Sequence, residues 1–474
     1  MKHKNVKIAI VGGGVAGSSA ALYLGRLGVD VTLFEKEQSL VTGPPFCHLH
    51  AGGNLYREIS DAQCVALLKQ SIAFLRFFPY IIDYRPTLIA LPTTDKSTPK
   101  ALLPRLEMLK VAYQTLINED PLNEVLQKPE AYYTSYSKAD LQALKSQTAV
   151  QNPQSFDEWM IPVAQHLDLE KVQFPLIMVQ EYGLNLFRLA AGNALELESL
   201  SNVTLQMQTQ VDKIKKHQNQ WKVFAKQSNK TTEKTFDYLI NAAGFRAGSI
   251  DDMVGAPCQS MVEFKAAYVT QWAEQKELPF PEIIFHGERG TPQGMGQFTP
   301  YPHGYFQLHG MTENITLYKE GLVANTPMSC QPKLKKDFLT KIEKAWDEAE
   351  VEKRTQAAIG HLAQYIPSFS TATVGSKPLF GAQQIPGDDP TLRVAEVTFA
   401  LPQYARCEIV KVSSVLDMIK VICKDLEALG YMNQNILEKR SFVRKEEDVT
   451  QRAKTIARLR HYPEEMASLT TPKA

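Results

Sequence analysis

The segment Ile8–Lys36, IAIVGGGVAGSSAALYLGRLGVDVTLFEK, runs from an apolar stretch into three glycines, then a small-residue stretch and a second apolar run closed by Glu35. That order specifies strand, tight turn, helix and second strand. Gly12 permits the turn, Gly14 lets backbone approach a diphosphate, and Gly17 lets the helix lie close to the strand. The helix N-terminus then offers unpaired N–H groups and positive dipole to phosphate. Glu35 falls about 20 residues further on, where an acid can accept hydrogen bonds from both ribose hydroxyls. A ribose 2′-phosphate would be repelled there, which argues against NADP. Gly28 punctuates the turn into the second strand. The unit holds a dinucleotide and leaves open whether that is an exchangeable nicotinamide or a resident flavin.

A chain of 474 residues, 44% hydrophobic and 22% charged, has material for two or three lobes with cores of their own. The net charge of +1 exerts no general pull on nucleic acid or anionic membrane, and no nucleic-acid partner is expected. The six cysteines stand singly, so neither a metal site nor a disulfide framework is indicated. No apolar run reaches the roughly 18 to 20 residues that span a bilayer. The expectation is a cytoplasmic protein with reduced thiols, peripheral membrane contact staying open.

Along the chain, 61–174 reads as a helical insertion and 256–370 as a substrate domain in which alternating residues mark an antiparallel sheet. Segments 1–60, 175–255 and 371–430 are expected to assemble one cofactor domain. Within them, "VTLQMQTQVDKIKKHQNQWKVFAK" reads as a hairpin, and "KLKKDFLTKIEKAWDEAE" beyond them as one amphipathic helix. Residues 431–474 read as a charged helical tail lying outside the core, either solvated or facing a membrane or partner. The fold class is mixed α/β, a Rossmann-type nucleotide domain built from separated segments with an inserted substrate domain of antiparallel sheet and helices. A simple nicotinamide dehydrogenase is not divided in this way.

With its first motif, "LINAAGF" at 239–245 and "GSKPLFGAQQIPG" at 375–387, the chain resembles the D-amino-acid oxidase/glycine oxidase superfamily of FAD-dependent oxidoreductases. The resemblance covers the order of motifs from Lys7 to about Leu426 and is densest at the N-terminus. It implies FAD, with Gly12, Gly14, Val15, Ala16, Gly17, Glu35 and Lys36 toward its ADP half and the backbone of Val211 at the adenine. It further implies Ala51 and Gly52, in "CHLHAGGNL", beside the flavin ring, and Ala243, Gly244 and Gln403 among the cofactor contacts. A second GxGxxG and a CxxxxC pair are missing from the sequence, so electrons are expected from a small organic substrate and not from NAD(P)H. The implied reaction is oxidation of an amine, amino acid or hydroxy acid by hydride transfer to flavin N5, with oxygen, a quinone or a carrier protein as acceptor. A flavin-dependent monooxygenase and a flavin-bound protein with a structural or regulatory role are the alternatives.

Several residues are candidates for the chemistry. His48 and His50 precede the glycines of the loop expected under the flavin, with backbone bonding as the plainer reading. In "YPHGYFQLHG", Tyr305, Gln307 and His309 share one strand face and Phe306 and Leu308 the other, making Tyr301, Gln307 and His309 pocket candidates. Arg57 and Arg406 could grip a substrate carboxylate or form ordinary ion pairs. The loop and helix in "LPQYARCEIVKVSSVLDMIKVI" could aim a helix N-terminus at the flavin. Lys377 occupies the place where many amino-acid-oxidising relatives have Gly-x-Arg-Pro. A compact charge on a flexible stem does not replace a planar fork, so the carboxylate clamp is expected to have moved or gone.

Overall fold

The computed structural model describes residues 6–47, 49, 59–390, 392, 397–433 and 444–470. Two sheets carry the architecture. The first has six strands in the order Val397–Leu401, Tyr404–Cys407, Tyr238–Asn241, Lys7–Val11, Asp30–Phe34, Val203–Gln206. Its four parallel pairings run from Tyr404–Cys407 across to Val203–Gln206, and helices Val15–Arg26, Leu186–Glu198 and Val415–Ala428 accompany it. Strands buried on both faces read as nearly continuous apolar runs, as Ile8–Val11 does and as Val31–Phe34 does apart from the buried Thr32. This is the Rossmann-type cofactor domain.

The second sheet has nine strands, drawn from Thr87–Ala90 through to Thr373–Pro386. Ser260–Gln271 pairs with Tyr305–Gly310, Leu322–Ala324 and the long strand Thr373–Pro386. Beyond Tyr305–Gly310 follow Gly296–Tyr301, Glu282–Phe285, Thr87–Ala90, Leu176–Val179 and Tyr133–Tyr136. Alternation divides its side chains between two cores. Leu88, Tyr268, Ile283, Phe298, Phe306 and Leu308 pack with Trp159, Ile359, Leu362 and Phe369 of the outer helices. Ile89, Ile177, Val179, Ala267, Val269 and Tyr301 turn the other way, into the core shared with the cofactor domain.

Five expectations need correction. The insertion at 61–174 supplies Thr87–Ala90 and Tyr133–Tyr136 to the second sheet, so it is no separate helical unit. Strands Leu176–Val179 and Thr373–Pro386, assigned to the cofactor domain, also belong to the second sheet. The hairpin holds only for Thr209–His217 and Gln220–Gln227, which pair antiparallel and with Lys230–Phe236 make a small sheet of their own, whereas Val203–Gln206 closes the first sheet. The amphipathic helix is two, Lys336–Glu343 and Glu348–Ala363, because Asp347 caps the second by accepting from Glu350 N–H at 2.8 Å.

The tail is the fifth. Helix Glu446–Leu459 begins with three acids, which suit the positive pole of its dipole, and buries Val449, Ala453, Ile456 and Ala457 in the shared core. Those positions form one helical stripe. Its charges are spent locally: Arg188 pairs with Glu446, and Arg452 with Glu198 at 2.8 Å. No helix among the described residues is long and apolar enough to cross a membrane.

Candidate active site between the two sheets

The glycine turn lies at the carboxyl end of strand Lys7–Val11. Gly12 has φ +102°, and a methyl group there would overlap the carbonyl of Ala242. On Gly17 a methyl would overlap the Gly12 carbonyl oxygen, so that helix and strand can approach only without a side chain. Gly14 has no neighbour within 4 Å of such a position, and Gly14, Val15 and Ala16 keep accessible surface while Gly17–Gly25 are buried. No side chain caps the helix at Gly14, which leaves its first N–H groups for an anion.

Glu35 is buried at the end of the neighbouring strand. Its carboxylate accepts from Gly13 N–H at 2.5 Å and Glu37 N–H at 2.8 Å. Burial pushes its pKa above the ordinary 4.5 although those two bonds pull it down. Val211 is buried on the strand whose first residue, Thr209, donates its N–H to Glu35 O at 2.8 Å. Ala243 and Gly244 follow the carboxyl end of Tyr238–Asn241, Gly244 with φ +59°. Lys36 is exposed and pairs with Glu37 at 3.3 Å. An open glycine cradle, a free helix end and a buried acid together fit the diphosphate and ribose of FAD.

Two assignments fail on geometry. Gln403 precedes Tyr404, which lies opposite Leu239 near the amino end of its parallel partner, far from the carboxyl ends where Gly12 and Ala243 stand. Its side chain donates to Tyr431 Oη at 2.6 Å and accepts from Lys216 at 2.7 Å, against the small sheet. Arg406 is buried and committed to Glu408 at 2.7 Å and Asp251 at 3.2 Å, and those acids raise its pKa against the lowering by burial. It is a structural ion pair with no fork to spare for substrate. The segment around it is two strands, Val397–Leu401 and Tyr404–Cys407, before helix Val415–Ala428 begins. His48, His50, Ala51, Gly52 and Arg57 lie outside the described residues.

The face of the second sheet turned toward the cofactor domain is polar at its centre. Tyr301 Oη donates to Gln307 Oε1 at 3.0 Å, and Gln307 Nε2 lies 3.0 Å from His309 Nε2. The three pocket candidates therefore form one chain of hydrogen bonds. Beside them Gln297 Nε2 reaches Glu282 Oε1 at 2.7 Å, Thr299 Oγ1 at 3.0 Å and Cys47 Sγ at 2.8 Å. Arg85 anchors this floor by pairing with Glu282 and with Asp83 at 3.2 Å, and donates to Cys47 O at 2.8 Å, at the start of the histidine loop. Burial alone would lower the Arg85 pKa, but Glu282 and Asp83 raise it, and burial pushes the Tyr301 phenol up.

Sequence reasoning missed Arg85, Glu282, Gln297 and Thr299. A signal for the last two was present, since "GQFTPY" alternates polar Gln297 and Thr299 with Phe298 as "YFQLHG" does. Lys377 stands at the bulge in Thr373–Pro386, 4.8 Å from the centre of the Tyr462 ring and 6.0 Å from that of Phe380. No carboxylate among the described residues pairs with it. Burial and then Arg460 lower its pKa below the usual 10.5.

These features define a two-lobed flavoenzyme with a Rossmann-type FAD site. The chain belongs to the family described as FAD dependent oxidoreductase, whose sequence pattern it matches over residues 7–393. The fold is similar to glycine oxidase from Geobacillus kaustophilus, at 13% identity and TM-score 0.55, covering 93% of this chain and 99% of that one. L-amino acid deaminase from Proteus vulgaris, at 10% identity, has TM-score 0.59 over 93% of this chain and 97% of its own. L-alpha-glycerophosphate oxidase from Mycoplasma pneumoniae, with FAD bound, is 16% identical with TM-score 0.54, covering 93% and 97%. In sequence, 4,4'-diapolycopen-4-al dehydrogenase from Metabacillus indicus is 29% identical over 170 residues, a match spanning 36% of this chain and 28% of the dehydrogenase.

Proposed function

We propose that the protein oxidises a small polar substrate, an amine, amino acid or hydroxy acid carrying an anionic group, and passes the electrons to oxygen, a quinone or a carrier protein. The observation that carries this reading is the chain Tyr301–Gln307–His309 on the sheet face turned toward the FAD domain. FAD, when bound, supplies the two-electron acceptor for the substrate C–H bond. Gly12, Gly14, Val15, Ala16, Gly17 and Glu35 would hold it. Buried Gln307 and Tyr301 orient substrate polar groups, and His309, whose Nε2 accepts from Gln307 Nε2, adds a further polar group to the same face. Lys377 holds the anionic end as a point charge, because Arg406 is already paired and no acid among the described residues pairs with Lys377. Such a contact is less rigid than a bidentate arginine, so common α-amino acids are expected to be poor substrates.

The test is anaerobic mixing with panels of amines, amino acids and hydroxy acids while flavin absorbance is followed. Bleaching by one class supports the reading. Bleaching by NADPH alone would replace it with a monooxygenase. Lys377→Met should raise KM for the reactive substrate by less than about tenfold, about 1.4 kcal/mol, with kcat little changed. The sign with pH follows from the ammonium: binding weakens as pH rises through a Lys377 pKa lying below 10.5. A KM flat across that range would remove Lys377 from the site.

Glu35 gives a second pH prediction. Its carboxylate is the form that bonds ribose, and its folded pKa lies above 4.5, so FAD release on acidification should begin above that pH. The same shift makes the ionised carboxylate a cost to the fold: between 4.5 and the raised value, stability falls as pH rises. Glu35→Ala should weaken FAD retention by about 1.5 to 3 kcal/mol, the range for a charged hydrogen bond. A variant that keeps FAD as well as the parent would show that the acid does not hold the ribose.

A further inference from the structure

Arg460 follows the tail helix and lies beyond the segment that matches the family, yet it reaches the cofactor domain. Its Nε donates to Ser39 Oγ at 2.9 Å, Nη1 to Val41 O at 3.1 Å, and Nη2 to Leu40 O. Val41 in turn donates its N–H to Gly13 O at 2.9 Å, which ties the loop to the glycine turn. Val41 has φ +59°, a conformation that a β-branched residue keeps only when its surroundings enforce it.

Among the described residues, the acceptors of the guanidinium are all neutral oxygens. Glu35 and Glu37 act on it only at a distance; Glu35 accepts from two backbone N–H groups, and Glu37 pairs with Lys36. Desolvation lowers the Arg460 pKa to about 10, so it remains charged at neutral pH. Part of its surface is nevertheless accessible. No acid among the described residues pairs with it, and a desolvated cation left without a counter-charge is costly, so structures supply one from side chains or ligands. The tail is fixed on both sides of Arg460's loop contact, by buried Ile456 and Ala457 before it and after it by Tyr462 Oη, which donates to Pro378 O at 2.6 Å, and by Met466 O, which accepts from Asn185 Nδ2 at 2.8 Å.

We propose that Arg460 supplies the counter-charge for the FAD diphosphate from the C-terminal tail while holding loop 39–41 against the glycine turn. The site of FAD is then completed by a segment more than four hundred residues downstream of that turn. This rests on the FAD of the family and is independent of the substrate.

The test compares full-length holoenzyme with Arg460→Lys, which keeps the charge, and Arg460→Gln, which keeps donors for the loop carbonyls but loses the charge. FAD release is read from the rise in flavin fluorescence on dilution. Rebinding of FAD is then challenged with ADP, which carries a diphosphate, and with adenosine, which does not. Arg460→Gln should release FAD at least tenfold faster and lose at least tenfold of the preference for ADP over adenosine, while Arg460→Lys keeps most of both. Unchanged release in Arg460→Gln would overturn the proposal. So would equal weakening of ADP and adenosine, or equal loss in both variants, since the arginine would then only brace the loop.

Discussion

A protein carrying Gly17→Ala is expected to purify without its yellow cofactor. The added methyl would meet the carbonyl oxygen of Gly12 and the side chain of Ala242, and backbone cannot step aside as a flexible side chain can. Helix Val15–Arg26 must therefore move away from strand Lys7–Val11. That displaces the helix N-terminus from the diphosphate position and loosens buried Ala20, Ala21 and Leu24. Overpacking of this kind costs about 1 to 3 kcal/mol of stability, besides the lost affinity for FAD. Gly14→Ala separates the two effects. Its methyl would point into open space, so the melting temperature without cofactor should stay near that of the parent while FAD affinity falls. Full flavin content and an unchanged melting temperature in Gly17→Ala would show that the turn is not under this constraint.

What the sequence disclosed follows from the range of the interactions involved. The turn at Gly12–Gly17 is dictated by contacts inside one unit, and Tyr305–Gly310 declares its two faces by alternation; both were legible. The same alternation put Gln307 and His309 on one face, but their link to Tyr301 on the neighbouring strand comes from the assembled sheet. Strand Thr373–Pro386 was misplaced because a pattern of apolar residues gives no hint of its partner. It pairs with Ser260–Gln271, and only assembly of the sheet decides that. Which of its two readings Arg406 takes was hidden for the same reason, since Asp251, which binds it, is on the short helix Ala247–Val254. The tail was read from charge, and its charged face is indeed solvated. Four small or branched apolar residues at helical spacing were the quieter signal, and they decide where it packs.

Breaking the pair Arg85–Glu282 is expected to have the largest effect on stability. Both side chains are almost wholly inaccessible, and Asp83, the other acid at the guanidinium, is nearly so. Replacing Arg85 with methionine fills similar volume but leaves two buried carboxylates without their cation. Removal of one partner from such a pair costs about 3 to 5 kcal/mol. Asp83 keeps bonds from Thr470, at 3.1 Å to its N–H and 2.8 Å to its hydroxyl, whereas Glu282 keeps Gln297. The greater part of the loss should therefore sit on Glu282. The double variant Arg85→Met with Glu282→Leu should recover at least half of it, because an apolar pair has no charge to strand. Arg85 also donates to the Cys47 carbonyl, ahead of the histidine loop, so substrate turnover should fall in both variants even where stability returns. Denaturant titration of the single and double variants measures the coupling directly. A single variant that loses less than about 1 kcal/mol, the scale of an exposed pair, would mean that the acids take up protons or water in place of the arginine.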